Sequence, residues 1–281
     1  MITLIEIIRR SEAYLAERGI GRARREAEEV IADALGVKRL DLYMQFERPL
    51  SETELPILRK RIQRRSNREP TAYIAGKMAF GGISLDVNPA VLIPRPETEI
   101  LVETIAQTLS TRSLENKVLW DMCCGSGCIG LALKTRFPEL AVLLSDLSDK
   151  ALAVAEQNAS VAVTFKQGDL FEPFLGQKCD FFVCNPPYVN EAEFGALDPE
   201  VKDWEPKMAL VAGPTGLEFY ERIARELKSH LNPDGLAWLE IGTGQGKDVK
   251  YLFESEGWKC RYEKDWSGHD RFVFIEPPIK T

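Results

Sequence analysis

The chain has 281 residues, of which 44% are hydrophobic and 28% charged, with a formal net charge of −7. That composition excludes a disordered or fibrous chain and suits one large or two smaller globular domains. The acidic balance argues against general coating of nucleic acid, and no apolar run reaches the ~18 residues of a membrane span.

The charge is uneven. Residues 1–75 hold 15 Lys/Arg against 12 Asp/Glu, net +3, and the remainder is net −10. Two parts facing different partners, or unrelated surface drift, would give this pattern. The opening stretch, MITLIEIIRRSEAYLAERGI, carries Glu6, Arg9, Arg10 and Glu12, so it reads as an amphipathic helix and not as a secretory leader. Six cysteines without a paired framework suit a reducing, cytoplasmic setting. Cys123, Cys124 and Cys128 lie close together, but their spacing does not match paired zinc half-sites, and no metal is expected.

Residues 1–75 are expected to be a small helical domain. Apolar positions recur at Leu4, Ile7, Ile8 and Leu15, then at Ala27, Val30, Ile31 and Ala34, in steps of three and four. Gly19 and Gly36 punctuate the helices. Ser51 and Glu54 have the spacing of a capping box that opens a third helix. The run RKRIQRRSNR, residues 59–68, has six basic residues in ten. It is expected to be a solvated helix face, with RNA or an acidic partner as the alternative.

Residues 76–93 change character. Gly81-Gly82 and Asn88-Pro89 bracket the alternating ISLDV, which predicts a β-hairpin linker. PRPETEILVETIAQTL then opens a helix, with Pro96 in its first turn and Glu97 and Glu99 near its positive end. From 117 onward strands and helices alternate: KVLWDM, GCIGLALKTRF, LAVLLSD, SDKALAVAEQNAS, AVTFKQGD, DFFVCN, GLEFYERIARELKSHL, GLAWLEI, GQGKDVKYLFESEG, and finally the strands WKCRYEKD and RFVFIEP. This predicts a doubly wound α/β sheet, mainly parallel, with an antiparallel final strand. The third domain runs from 94 to 281.

The strand ends carry the chemistry. After Asp121 the loop Cys123-Cys124-Gly125-Ser126-Gly127 leads into a helix, an arrangement that lets backbone approach a ligand. A tight strand–helix turn would look the same. Asp146 ends the next strand, where a carboxylate can take both hydroxyls of a ribose. Asp169 ends the third, within reach of an adenine amino group. The fourth ends in Asn185-Pro186-Pro187-Tyr188, a turn stiffened by two prolines. His269, in SGHDRF, is expected to make a structural hydrogen bond.

A glycine loop, an acidic second strand and NPPY after the fourth resemble an S-adenosylmethionine-dependent amino methyltransferase. Together with PRPETE, GSGCIGLAL, GPTGLEFY, LEIGTGQ and HDRF, they resemble the peptide chain release factor N5-glutamine methyltransferases over essentially the whole chain. The resemblance implies a Rossmann-like seven-stranded methyltransferase domain, with a small N-terminal helical domain joined by the hairpin. It implies S-adenosyl-L-methionine as methyl donor, S-adenosyl-L-homocysteine as product, and the Gly-Gly-Gln glutamine of class I release factors as substrate. Neither a membrane nor a nucleic-acid substrate is implied. It assigns Asp121, Cys123, Cys124, Gly125, Ser126, Gly127, Asp146, Leu147, Asp169, Leu170 and Asn185 to the cofactor. It assigns Asn185, Pro186, Pro187, Tyr188, Arg95 and Glu97 to the substrate, with Asn185, Pro186 and Tyr188 catalytic. The family loop usually has glycine where this chain has Cys123.

An amide nitrogen is a poor nucleophile because its lone pair is delocalised into the carbonyl. The Asn185 side-chain oxygen and the Pro186 carbonyl can each accept one of its N–H groups, and Tyr188 can stack on the flat amide. Three other readings stay open at this point: a ribosomal-protein glutamine methyltransferase, an adenine N6-methyltransferase acting on nucleic acid, and a binding module without turnover.

Overall fold

A computed structural model describes residues 2–277. The chain forms two compact units, one from the first 78 residues together with Asp198–Trp204, the other from the remainder.

In the first unit the helices are α1 (Leu4–Ala16), α2 (Ala23–Leu35), α3 (Glu54–Ser66) and α4 (Thr71–Ala75). Their apolar stripes meet in a core of Leu4, Ile8, Leu15, Val30, Ile31, Leu58 and Ile62. Gly36 ends α2 with φ 67°. Ser51 and Glu54 exchange hydrogen bonds ahead of α3: the Ser51 N–H donates to Glu54 Oε2 at 2.8 Å, and the Glu54 N–H donates to Ser51 Oγ at 3.2 Å.

The basic run on α3 is largely neutralised within its own unit. Arg61 pairs with Asp33. Arg64 pairs with Glu69 at 2.5 Å, and the buried Arg65 pairs with Glu26 at 2.7 Å and Glu200 at 3.1 Å. Arg68 joins Glu200 at 3.2 Å. The segment around Glu200 was expected in the catalytic domain; a buried guanidinium that needs counter-charge accounts for its place beside α3.

A hairpin follows, β1 (Lys77–Phe80) and β2 (Ile83–Asp86), and then α5 (Pro96–Leu109). The second unit alternates β3 (Val118–Met122), α6 (Cys128–Arg136), β4 (Ala141–Asp146), α7 (Asp149–Asn158), β5 (Thr164–Gln167) and β6 (Cys179–Cys184). A short strand β7 (Val189–Asn190) and two one-turn helices, α8 (Glu191–Phe194) and α9 (Pro199–Lys202), lead to β8 (Val211–Gly213). The chain continues through α10 (Glu218–His230), β9 (Leu231–Glu240), α11 (Gly246–Ser255), β10 (Lys259–Lys264) and β11 (Asp270–Glu276). The expected end of the last domain, residues 278–281, lies outside the described residues.

Seven strands form one sheet in the order β10-β11-β9-β6-β3-β4-β5. β11 runs antiparallel between β9 and β10. The sheet is buried on both faces, so its strands read as continuous apolar runs whose side chains alternate between two cores. Leu119, Phe181 and Val183 pack with α5, α6 and α7. Trp120, Phe182 and Cys184 pack with α10 and α11. The predicted strand GLAWLEI begins earlier than expected, at Leu231. The small parallel pair β7–β8 was not legible from pattern, because two or three residues carry no period.

Candidate active site

Parallel pairing sets Met122 of β3 opposite Ser145 of β4 and Cys184 of β6, and Asp146 opposite Gln167 of β5. The loops after these strands therefore leave one edge of the sheet together, the edge where open α/β sheets bind ligands. A cleft opens there, about 950 Å³ with its open mouth included.

Cys123, Cys124, Gly125 and Ser126 line the cleft from β3. Asp146, Leu147 and Ser148 line it from β4, Gly168, Asp169 and Leu170 from β5, and Asn185 and Pro187 from β6. Arg95 and Thr98 come from the start of α5, joined by Pro206, Met208 and Phe219.

Asp146 ties two of these loops together. Its Oδ2 accepts the Gly125 N–H at 2.9 Å, and its Oδ1 accepts the Ser148 N–H at 2.9 Å. Burial pushes its carboxyl above the usual range, while the backbone N–H donors pull the other way. Beside it, Leu147 is 54% exposed at the opening. The Asp169 carboxylate is paired with Arg222 at 2.8 Å.

Cys123 sits in the left-handed region, φ 57°. That conformation is ordinary for glycine and strained for a residue with a Cβ. Cys184, the last residue of β6, is buried beside it, and burial with the neighbouring Cys123 pushes the Cys184 thiol up.

Several expected residues fall outside the lining. Asp121 lies beneath the loop, 1% exposed, where its Oδ2 accepts the Gly130 N–H of α6 at 2.8 Å. Burial raises its carboxyl to about 7. Gly127 caps α6 at φ 80° and is buried. Pro186 is buried and Tyr188 half-buried, and neither is among the residues that line the cleft, although their neighbours Asn185 and Pro187 are. Glu97 is half-buried in the first turn of α5, likewise outside the lining. Arg95 reaches the cleft and is paired with the buried Glu205 at 2.6 Å. His269 is exposed in the turn between β10 and β11, where its backbone, and not its ring, bonds to Asp265.

The Asn185 side chain reaches the cleft, and among the described residues no hydrogen bond engages its carboxamide. The turn it opens is held from behind. Gln245 Nε2 donates to the Tyr188 carbonyl at 3.1 Å, and the Val189 N–H donates to the Leu210 carbonyl at 2.9 Å. Burial raises the Tyr188 hydroxyl above its usual range, and the nearby Glu240 adds to the effect.

Thr98, Ser148, Phe219, Gln245 and Glu205 were not singled out from the sequence. Thr98, Ser148, Phe219 and Gln245 lie inside quoted stretches, PRPETE, SDKALAVAEQNAS, GPTGLEFY and LEIGTGQ, whereas Glu205 lies in WEPKMAL, which also supplies Pro206 and Met208 and was not quoted. For Ser148 and Gln245 a polar side chain soon after a strand end was the available signal, and Thr98, Phe219 and Glu205 had none of that kind. Which of them faces the cleft is set by long-range packing.

Residues 6–76 match a family model described as the PrmC N-terminal domain, and residues 96–197 match the methyltransferase small domain. The release factor glutamine methyltransferase of Chlamydia trachomatis serovar L2 is 47% identical over 274 residues, covering 96% of this chain and 93% of its own. That of Geobacter sulfurreducens is 39% identical over 275 residues, covering 96% and 95%. Among solved structures, a methyltransferase from Pyrococcus furiosus superposes with a TM-score of 0.51 at 17% identity, over 70% of this chain and 90% of that one, which establishes the shared fold. With near-full-length similarity on both sides, the chain belongs to the release factor glutamine methyltransferase family.

Proposed function

We propose that this protein transfers a methyl group from S-adenosylmethionine to the side-chain nitrogen of the glutamine in the Gly-Gly-Gln motif of class I release factors. The observation that carries the site-level reading is that Asp146 and Asn185 line one cleft at the carboxyl edge of the sheet. The comparisons support the substrate.

The cleft suits S-adenosylmethionine. A half-buried carboxylate braced by two backbone N–H groups lies beside an exposed leucine and a loop that presents backbone to the opening. Asp146 would hold the ribose hydroxyls, Asp169 and Leu170 the adenine, and residues 123–126 the amino-acid end. The group supplies an electrophilic methyl on a sulfonium.

The protein's part is grip and orientation. The Asn185 side-chain oxygen and the Pro186 carbonyl accept the two N–H groups of the substrate amide and hold its nitrogen in line. The same two oxygens stabilise the positive charge that the nitrogen gains. The Tyr188 ring covers one face of the amide. No strong base is needed, and positioning of this kind contributes up to ~7–11 kcal/mol in favourable cases. Arg95 borders the substrate side of the opening. The helical unit, residues 1–75, holds the body of the release factor while the hairpin of 76–93 links it to the catalytic domain. Among the described residues no helix is long and apolar enough to cross a membrane, and the substrate places the reaction in the cytoplasm.

The test is labelled-methyl transfer with a class I release factor, total ribosomal protein and nucleic acid offered in parallel. Label on the Gly-Gly-Gln glutamine is expected. Label confined to ribosomal protein or to adenine overturns the reading.

A further inference from the structure

Three loops at the carboxyl edge of the sheet converge on one side chain that the proposed chemistry does not use. Gln245 precedes α11. Its Nε2 donates to the Tyr188 carbonyl at 3.1 Å and to the Gly216 carbonyl at 3.2 Å. Its Oε1 accepts the Gly242 N–H at 2.8 Å. One carboxamide thus joins the Asn185–Tyr188 turn, the loop before α10 and the loop after β9, using both donors and one acceptor lone pair.

The surrounding backbone leaves room for this group alone. A Cβ on Gly216 would lie 2.6 Å from the Tyr188 carbonyl oxygen and 2.9 Å from Gln245 Nε2. A Cβ on Gly242 would lie 2.8 Å from Gln245 Oε1 and 3.1 Å from Tyr188 Cδ2. Two glycines therefore flank the carboxamide where any other residue would displace either it or Tyr188.

The consequence for the turn is specific. Pro186 and Pro187 have fixed φ. The next peptide group, between Tyr188 and Val189, is held at both polar ends: its carbonyl by Gln245 and its N–H by the Leu210 carbonyl at 2.9 Å. A peptide held at both ends resists rotation. It anchors the backbone that carries the Tyr188 ring, one proline away from the Pro186 carbonyl.

We infer that Gln245 is a positioning residue that sets the Asn185–Tyr188 turn for methyl transfer to the amide without touching the cofactor. This rests on the reading of that turn as the amide grip. Gln245→Glu keeps the shape, removes both donors and puts a negative oxygen against two carbonyls. Gln245→Leu is the neutral second variant should the first fail to fold.

Two measurements separate the possibilities. In single-turnover methylation of a release factor, each variant is expected to lose 10- to 100-fold in rate at saturating substrate. S-adenosylmethionine affinity by calorimetry should stay within twofold of the parent. An equal loss of rate and cofactor affinity would mean general unravelling of the edge and would overturn the inference. The second measurement does not need turnover. With 3-fluorotyrosine at position 188, the parent should give one sharp fluorine resonance, and the variants a shifted or broadened one with unchanged far-UV circular dichroism. An unmoved resonance overturns the inference whatever the rate does. An inactive parent with the expected resonance change would instead count against the proposed reaction.

Discussion

Thr98 Oγ1 donates to Glu240 Oε2 at 2.7 Å, joining the first turn of α5 to the last residue of β9 in a fully buried contact. Burial raises the Glu240 carboxyl from 4.5 to about 7, opposed by the Thr98 hydroxyl and by Arg271 and Arg95, and reinforced by Glu97. The folded form therefore holds this proton more tightly than the unfolded chain does. The stability it contributes is complete below pH 4.5 and is lost as pH rises through about 7. Glu240→Gln should be neutral or harmful at pH 5 and stabilising at pH 8, with the difference approaching ~3 kcal/mol. Thermal melts of both proteins across that window check this. A constant offset at every pH would mean Glu240 titrates normally.

Asp146→Ala removes a carboxylate that braces Gly125 and Ser148 and faces the cleft. Affinity for S-adenosylmethionine should fall by ~1–3 kcal/mol, the scale for losing hydrogen bonds to a charged group. Calorimetric titration measures it, and unchanged affinity would remove Asp146 from the ribose site.

Cys123→Gly relieves a left-handed residue of its Cβ at φ 57°. Relief of ~1–2 kcal/mol is partly offset by the greater freedom of glycine in the unfolded chain, ~0.4–1 kcal/mol. The melting temperature should rise slightly and cofactor binding should hold or tighten. Cys123→Val, branched at Cβ, should do the reverse. A clear loss of stability in Cys123→Gly would show that the packing of the Cys123 side chain outweighs the strain.

Asn185→Ala takes away one of two acceptors from a nitrogen that becomes positive. A loss of ~10²–10³ in single-turnover rate is expected, with cofactor affinity nearly intact. Asn185→Asp keeps an acceptor but adds a charge to be desolvated, so it too should be slow. Tyr188→Phe should retain most activity and Tyr188→Ala should not. Near-parental turnover in Asn185→Ala would place the grip elsewhere.

The parallel sheet was legible because continuous apolar runs ended in polar residues, and those ends did meet on one edge: Cys123, Asp146, Asp169 and Asn185 share the cleft. Asp121 ended a run in the same way yet lies under the loop. Alternation along β3 puts it on the face of Leu119, where α6 crosses and Gly130 takes its carboxylate. Pattern gives the alternation but not which face the cleft opens on. Glu205 illustrates the other limit. It bonds to Ile93 and Arg95 across 112 and 110 positions. No local spacing announces such a pairing, nor the 142 positions between Thr98 and Glu240. Gln245 stood inside a quoted motif, but its role depends on three loops that only the tertiary fold brings together.

The ion pair between Arg65 and Glu200 spans 135 positions, and both residues belong to the helical unit. During synthesis at ~5–20 residues per second, Arg65 is made roughly 7–27 s before its second carboxylate. Over that interval the nascent helices have Glu26 alone to answer a guanidinium that the finished unit buries to 7% exposure. The unit that begins the chain is therefore not complete when its first 78 residues have been made: it closes only after β3 to β6 of the other unit have been made, and before that unit's β9 to β11.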